Sequence, residues 1–335
     1  MKKRILALAL SLAMVFGLVA CGGGTTETKA ADDAAETIKL NVAYMPNYGS
    51  LWSVTTAMEK GYFAEEGLEV TLTSFQDGPT IIAAMESGSI DIGYIGQGAH
   101  KLCIQGNAKI FALSHISNGD ALIGGPSVKT LEDLKGKKVA YSAGTSSEDI
   151  LKNALAKADL TMEDIEAVEM EAANIVTAML SGGVDACATW SPNSLKILEE
   201  GTDVTLLCDN KTFIDTTVSL ASWIVTPSYA DANAETILKF TKALYKAMDY
   251  AADANHDEVA GFVADVTKTD YDSVYAQRGD ADWLTGAEVA AGVEDGTIAA
   301  YYQLQQDNFI AAGAVKEAVA LEDYIMFDNM TNAVK

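Results

Sequence analysis

The strongest constraint on this chain is that it repeats its own plan. Ala84-Met85-Glu86-Ser87-Gly88-Ser89-Ile90-Asp91 is matched 94 residues later by Ala178-Met179-Leu180-Ser181-Gly182-Gly183-Val184-Asp185, and Val42-Ala43-Tyr44 is matched 97 residues later by Val139-Ala140-Tyr141. In each copy a helix-period segment ends at a Gly suited to the left-handed position after the last turn, and a short apolar strand with one Asp follows. The same order at nearly the same offset predicts two equivalent lobes. Local patterning agrees with this. Residues 38–44 alternate as a strand and break at Met45-Pro46-Asn47, 50–59 have helical period, and Gly61 and Gly67 punctuate the chain before a second strand at 70–75. A helix at 79–87 and a buried strand at 90–95 complete the unit, and strands alternating with helices imply a parallel or mixed sheet.

Two apolar runs bracket the second copy, 121–126 and 221–227, each stopped by a Pro. Read as crossover strands, they give one lobe of residues 38–121 plus 223–335 and another of 122–222, a hinged clamp around a cleft. Beyond residue 234 the chain reads as mainly helical, with Leu238, Leu244, Tyr245 and Met248 on one face and a further helix at 299–312, packing on the first lobe.

Charge narrows the partners. Lys+Arg 23 against Asp+Glu 47 gives a formal net charge of −24, a field that repels nucleic-acid phosphate and anionic membrane surfaces and keeps the protein soluble. Lys2, Lys3 and Arg4 precede an uncharged apolar run over 5–20, which is the layout of an export leader and falls short of a comfortable membrane span. Leu18-Val19-Ala20-Cys21-Gly22 at its end resembles the bacterial lipobox, so residues 1–20 are expected to be removed and Cys21 lipidated. That loss takes three positive charges and no negative ones, leaving −27. Residues 21–37 have almost nothing to bury and read as a flexible tether. The expected location is the outer face of the bacterial cell membrane, as a lipid-anchored monomer.

Catalytic and metal motifs are scarce. There are three His, none in metal-ligand spacing, and neither a Gly-x-Ser-x-Gly elbow nor a phosphate-binding Gly-rich loop with Lys occurs. No enzyme, metal or cofactor is indicated. After Cys21, the odd set Cys103, Cys187 and Cys208 forms no disulfide framework; Cys187 and Cys208 are either a single bridge or buried free thiols.

A ligand in an open α/β sheet sits beyond the carboxyl ends of the strands, here 44–48, 94–97, 142–146 and 189–193. These ends nominate Tyr44, Asn47, Tyr48, Gln97, Ser142, Thr145, Ser146, Trp190 and Asn193, with Trp52 nearby. Thr145 and Glu148 have capping-box spacing, so this turn either receives a ligand's polar end or satisfies its own helix start. Trp190 is read as a wall of the cleft or as a core aromatic. Asp120 and Asp215 flank the crossover region near Tyr44, Tyr48, Trp52, Trp190 and Trp223, and carboxylates beside aromatic rings suit a cationic or neutral nitrogen compound. Asp120 reads equally as a solvated turn residue. The nearest basic residues are Lys101 and Lys196.

Gly61-Tyr62-Phe63 with Gly67-Leu68-Glu69-Val70, Ser87-Gly88-Ser89-Ile90-Asp91-Ile92-Gly93, Leu131-Glu132-Asp133-Leu134-Lys135-Gly136-Lys137-Lys138-Val139-Ala140 and Gly182-Gly183-Val184-Asp185-Ala186 resemble the nitrate/sulfonate/taurine-type substrate-binding proteins of ABC importers. That group shares its fold with thiamine-pyrimidine synthesis proteins. The resemblance, over about residues 38–230, implies an α/β type II periplasmic-binding-protein fold, two Rossmann-like lobes closing on a small-molecule solute, and delivery to an ABC permease. The solute stays open between a cationic or neutral nitrogen compound, such as a guanidinium or a pyrimidine, and a sulfonate-type anion. Two further readings share the fold: a surface sensor, and a pyrimidine-synthesis-type enzyme holding pyridoxal phosphate on a Lys.

Overall fold

A computed structural model describes residues 37–335; the expected export leader, the expected lipidation site Cys21 and the expected tether up to residue 36 lie outside the described residues. Among the described residues eleven strands form two sheets. They are β1 (Ile38–Tyr44), β2 (Leu68–Ser74), β3 (Ile92–Ile95), β4 (Lys109–Ser117), β5 (Asp120–Gly124), β6 (Lys138–Tyr141), β7 (Glu166–Glu169), β8 (Ala186–Trp190), β9 (Thr205–Asp209), β10 (Leu220–Val225) and β11 (Ala281–Trp283). The six-stranded sheet runs β11-β4-β10-β3-β1-β2 and the five-stranded sheet β7-β6-β8-β5-β9.

The repeat in the sequence is a repeat of topology. β2-β1-β3 is parallel and so is β7-β6-β8, and in each sheet the third of these strands then pairs with an antiparallel neighbour, β10 or β5. The repeated Asp clasps the central strand of its parallel trio. Asp91 accepts the Asn41 amide at 2.8 Å while its own amide reaches Asn41 O at 2.9 Å, and Asp185 makes the same pair with Lys138 at 2.9 and 2.8 Å. Gly88 and Gly182 both stand at positive φ, 78° and 70°, which lets the helix before each clasp stop within one residue.

The runs 121–126 and 221–227 do not themselves cross between sheets. β5 pairs along its length with β8 and β9, and β10 with β3 and β4. Both strands are buried throughout, so their apolar residues are committed to one sheet each. The chain passes between the sheets just ahead of them, through Asn118 and Gly119 and through the 210–219 segment.

The helix Ala234–Ala251 buries Leu244, Tyr245 and Met248, and with Thr297–Ala311 it shares the core of the six-stranded sheet. β11 interrupts this helical stretch, a strand of three residues that periodicity did not reveal. Cys103, Cys187 and Cys208 are buried free thiols. β5 separates Cys187 from Cys208, and the two face opposite cores of the five-stranded sheet, so no bridge joins them. Among the described residues no helix is long and apolar enough to cross a membrane.

Candidate functional site

Both sheets open onto one cavity of about 680 Å³ including its mouth, within the usual range for small-molecule sites. Helices begin at its rim after β1, β2 and β6, capped by Asn47, Asp77 and Thr145, whose side chains take the amides of Ser50, Thr80 and Ser147. Of the candidates nominated by strand ends and charge, Asn47, Gln97, Asp120, Thr145, Ser146 and Trp190 line this cavity. Thr145 therefore serves as a cap and as a wall at once. Glu148 accepts the Gly144 amide at 2.7 Å and leaves the reciprocal box unformed.

The other six lie off the cavity. Tyr44 is buried at the end of β1, where its carbonyl accepts the Phe75 amide at 2.9 Å. Tyr48 is sealed beneath the C-terminal helices, its hydroxyl 2.8 Å from His256 Nδ1. Trp52 donates to Ser114 Oγ at 3.1 Å and packs behind Trp283 with ring centroids 5.0 Å apart. Ser142 donates its amide to Ser147, Asn193 donates its side-chain amide to Ala172 O, and Asp215 is exposed beyond the rim. Trp223 is a core residue between Tyr94 and Phe240.

Strand-end reasoning missed the far wall. Tyr94 and His115 line the cavity, as do Gln277, Asp280 and Trp283 from around β11. Trp283 packs on His115 at 4.9 Å, and its indole N–H donates to Arg278 O at 2.7 Å. Tyr94 stood in the nominated segment 94–97, so the signal for it was present. Nothing local marks Asp280 or Trp283, which reach the cavity only because β11 pairs with β4.

Electrostatics give the cavity its character, because two carboxylates line it and no Lys or Arg does. Asp120 accepts Ser146 Oγ, Asn210 Nδ2 at 2.9 Å and Ser219 Oγ at 3.2 Å, donors drawn from three segments. Burial raises its pKa and those three bonds oppose the rise. Burial also pushes Asp280 up to about 6, helped by the charge of Asp120 and opposed by Ser191 and Lys211. Burial holds His115 neutral, its pKa pushed down to about 3. Lys101, a candidate counter-charge for an anion, is engaged instead with Glu148 at 3.7 Å, and Lys196 with Glu200 at 4.0 Å. Two unit charges about 4 Å apart at an effective dielectric of about 20 interact by roughly 4 kcal/mol. When ionised, these carboxylates oppose an anion with whole charges, whereas the helix starts offer about half a charge each, already partly taken by their caps.

The halves meet tightly around the cavity. A Cβ on Gly98 would stand 2.1 Å from the Thr145 carbonyl carbon, and one on Gly144 3.3 Å from Pro79 Cγ. Among the described residues no group of three or more His, Cys, Asp or Glu is arranged to hold a metal ion.

Comparison with known proteins places this architecture. A Brucella abortus protein, named only as a binding protein, is 28% identical over 89% of this chain and 93% of its own. The taurine-binding periplasmic protein of Escherichia coli is 26% identical over 62% of this chain and 65% of its own. Among solved structures, the alkanesulfonate-binding protein SsuA from Xanthomonas axonopodis superposes with a TM-score of 0.67 at 21% identity, covering 88% of this chain and 99% of that one. The periplasmic nitrate-binding protein NrtA from Synechocystis gives 0.74 at 14%, covering 90% and 89%. The desulfurization enzyme DSZB gives 0.63 at 15%, covering 89% and 99%, so the fold also carries catalysis. Residues 51–258, well over half of the chain, match the NMT1/THI5-like family, and the chain belongs to that family.

Proposed function

We propose that this protein is the extracytoplasmic solute receptor of an ABC importer, anchored through Cys21, which closes its two halves on one small polar solute and presents it to the permease. The observation that carries this reading is the cavity itself, walled by both sheets, with Gly98 against Thr145 and Gly144 against Pro79 on its rim. Backbone contacts that close separate one half from the other only by breaking, which is the behaviour of a clamp. The periplasmic relatives support a location outside the cytoplasm. The lining residues include no Lys to hold pyridoxal phosphate and no Cys nucleophile, so they give the enzyme reading little to work with.

The test is a thermal-shift screen of the protein from Thr37 onward against a broad metabolite panel, followed by small-angle scattering with each hit. A stabilising solute should also make the particle more compact, by the linkage between binding and folding. A panel that neither raises the melting temperature nor changes the scattering would remove the receptor reading.

A further inference from the structure

The geometry points to an organic cation bearing at least two N–H donors as the solute, held by Asp280 at the junction of the two halves, with Asp280 as the residue that sets this specificity. This rests on the receptor reading above and narrows it.

The argument begins with unpaired atoms. Asp280 Oδ2 and Ser191 Oγ are buried without a hydrogen-bond partner, and both residues line the cavity. Ser191 is 7% exposed. Native proteins seldom leave such groups unsatisfied, so each marks a place where a partner belongs. A carboxylate oxygen only accepts, which requires the partner at Asp280 to be a donor. The Ser191 hydroxyl lies close enough to Asp280 to hold its pKa down, without the alignment of a hydrogen bond.

Position gives the second step. Asp280 belongs to the segment leading into β11 of the six-stranded sheet, while Ser191 follows β8 of the five-stranded sheet. The two meet at Gly119, where an added Cβ would stand 3.2 Å from Asp280 Cβ and 3.4 Å from Ser191 Cβ. Asn118 N–H donates to Asp280 O at 2.6 Å, and Ser191 N–H to Gly119 O at 3.1 Å, so the passage between sheets fixes both. Asp280 therefore samples the cleft at the point where the halves join. Asp120 differs from it, because its own chain already supplies three donors. Asp120 is closed off by its own donors, and Asp280 contributes the open contact.

The rest of the lining agrees. Trp190 and Trp283 line the cavity, His115 is uncharged, and Lys101 is held by Glu148. A sulfonate or nitrate would leave Asp280 unpaired and stand against two carboxylates. Planar cations with several N–H groups satisfy it.

Asp280 also makes binding pH-dependent. The charged and polar groups bearing on it are Asp120 of β5, Ser191 and Lys211, and with them its carboxyl titrates at about 6. A cation binds the ionised form, so affinity is full above that value and falls, by up to tenfold per pH unit, below it.

The experiment is calorimetric titration at pH 5 and pH 7.5 with methylguanidinium and ethylammonium as cations, ethanesulfonate and nitrate as anions, and 2-aminopyrimidine, neutral at both values, as a neutral base. At least one cation should bind saturably at pH 7.5, at least fivefold more weakly at pH 5, and Asp280→Asn should weaken it at least tenfold with an unchanged melting temperature. Should that variant fold poorly, the wild-type pH profile and Ser191→Ala, expected to lose affinity severalfold, carry the test. Saturable binding of an anion or the neutral base with no cation binding overturns this inference and leaves the receptor standing. Binding of no probe also overturns it, and the receptor reading is then judged by the metabolite screen and scattering.

Discussion

In the six-stranded half the helix that follows β1, Tyr48–Glu59, is buried along nearly its whole length, while its counterpart after β6 in the other half, Ser146–Lys157, buries only Ser147, Ile150, Leu151, Ala154 and Leu155 on one face. The two helices begin at the same cavity and start from the same strand-to-helix plan. What separates them is the C-terminal chain, which packs on the first and not on the second. Covering the first helix turns Tyr48 and Trp52 into core and replaces them at the cavity with Trp283 and Asp280 from the covering segment itself. The uncovered helix keeps Thr145 and Ser146 at the rim. The six-stranded half thus supplies Tyr94, Trp283 and the open carboxylate, and the five-stranded half Trp190, hydroxyls and a saturated carboxylate.

The largest effect should come from breaking the covered side. Trp52 is fully buried, bonded to Ser114 and packed on Trp283, so Trp52→Ala should cost about 3–5 kcal/mol of stability in urea denaturation. Trp190 lines the cavity partly buried, and Trp190→Ala should cost clearly less stability than Trp52→Ala while weakening solute binding about tenfold. Equal stability losses in the two variants would show that Trp190 is core and that the asymmetry drawn here is false.

That asymmetry also decides what could be read in the chain. The repeated Ser-Gly-x-x-Asp segments were visible because each encodes a complete local device, a left-handed stop and an Asp that clasps the neighbouring strand. Asn47, Gln97, Thr145, Ser146 and Trp190 were reachable because strand ends follow from periodicity, and strand ends face the cleft. Tyr48 and Trp52 obeyed the same rule and were displaced by helices that begin nearly two hundred residues later. Asp120 could be named, yet whether it was a turn residue or a site residue depended on Ser146, Asn210 and Ser219 arriving from elsewhere. Asp280 and Trp283 carry no local signal, since a three-residue strand has too little period to announce itself.

A second test presses the halves apart without touching either core. Gly98 is held to Gly by proximity alone: it has ordinary φ, and its missing Cβ would lie 2.1 Å from the Thr145 carbonyl carbon and 2.5 Å from its Cα. Gly98→Val should therefore fold normally, since both cores are intact, and bind solute at least a hundredfold more weakly, with no ligand-induced compaction in scattering. Unchanged affinity would mean that the contact between halves plays no part in holding the solute.

The smallest expected effect lies at the one ion pair described across that contact between Lys101 and the start of the uncovered helix. Lys101 approaches Glu148 at 3.7 Å with both side chains about 17% exposed. Burial would raise the Glu148 carboxyl, but bonds from Lys152 and the Gly144 amide, with the charges of Lys101 and Lys152, bring it below its ordinary range. Glu148 keeps Lys152 and Gly144 when Lys101 is removed, so Lys101→Met acts chiefly on the attraction between the halves. Pairs of this kind contribute about 0.2–1 kcal/mol, which corresponds to a loss of affinity of up to about fivefold. Lys101 also holds down Asp149, which burial raises to about 7, so the variant should shift that carboxyl higher still. Wild-type affinity should fall with added salt until it approaches that of the variant, and a variant that bound as tightly as wild type at low salt would place the closing force wholly in the Gly98 contact and the solute.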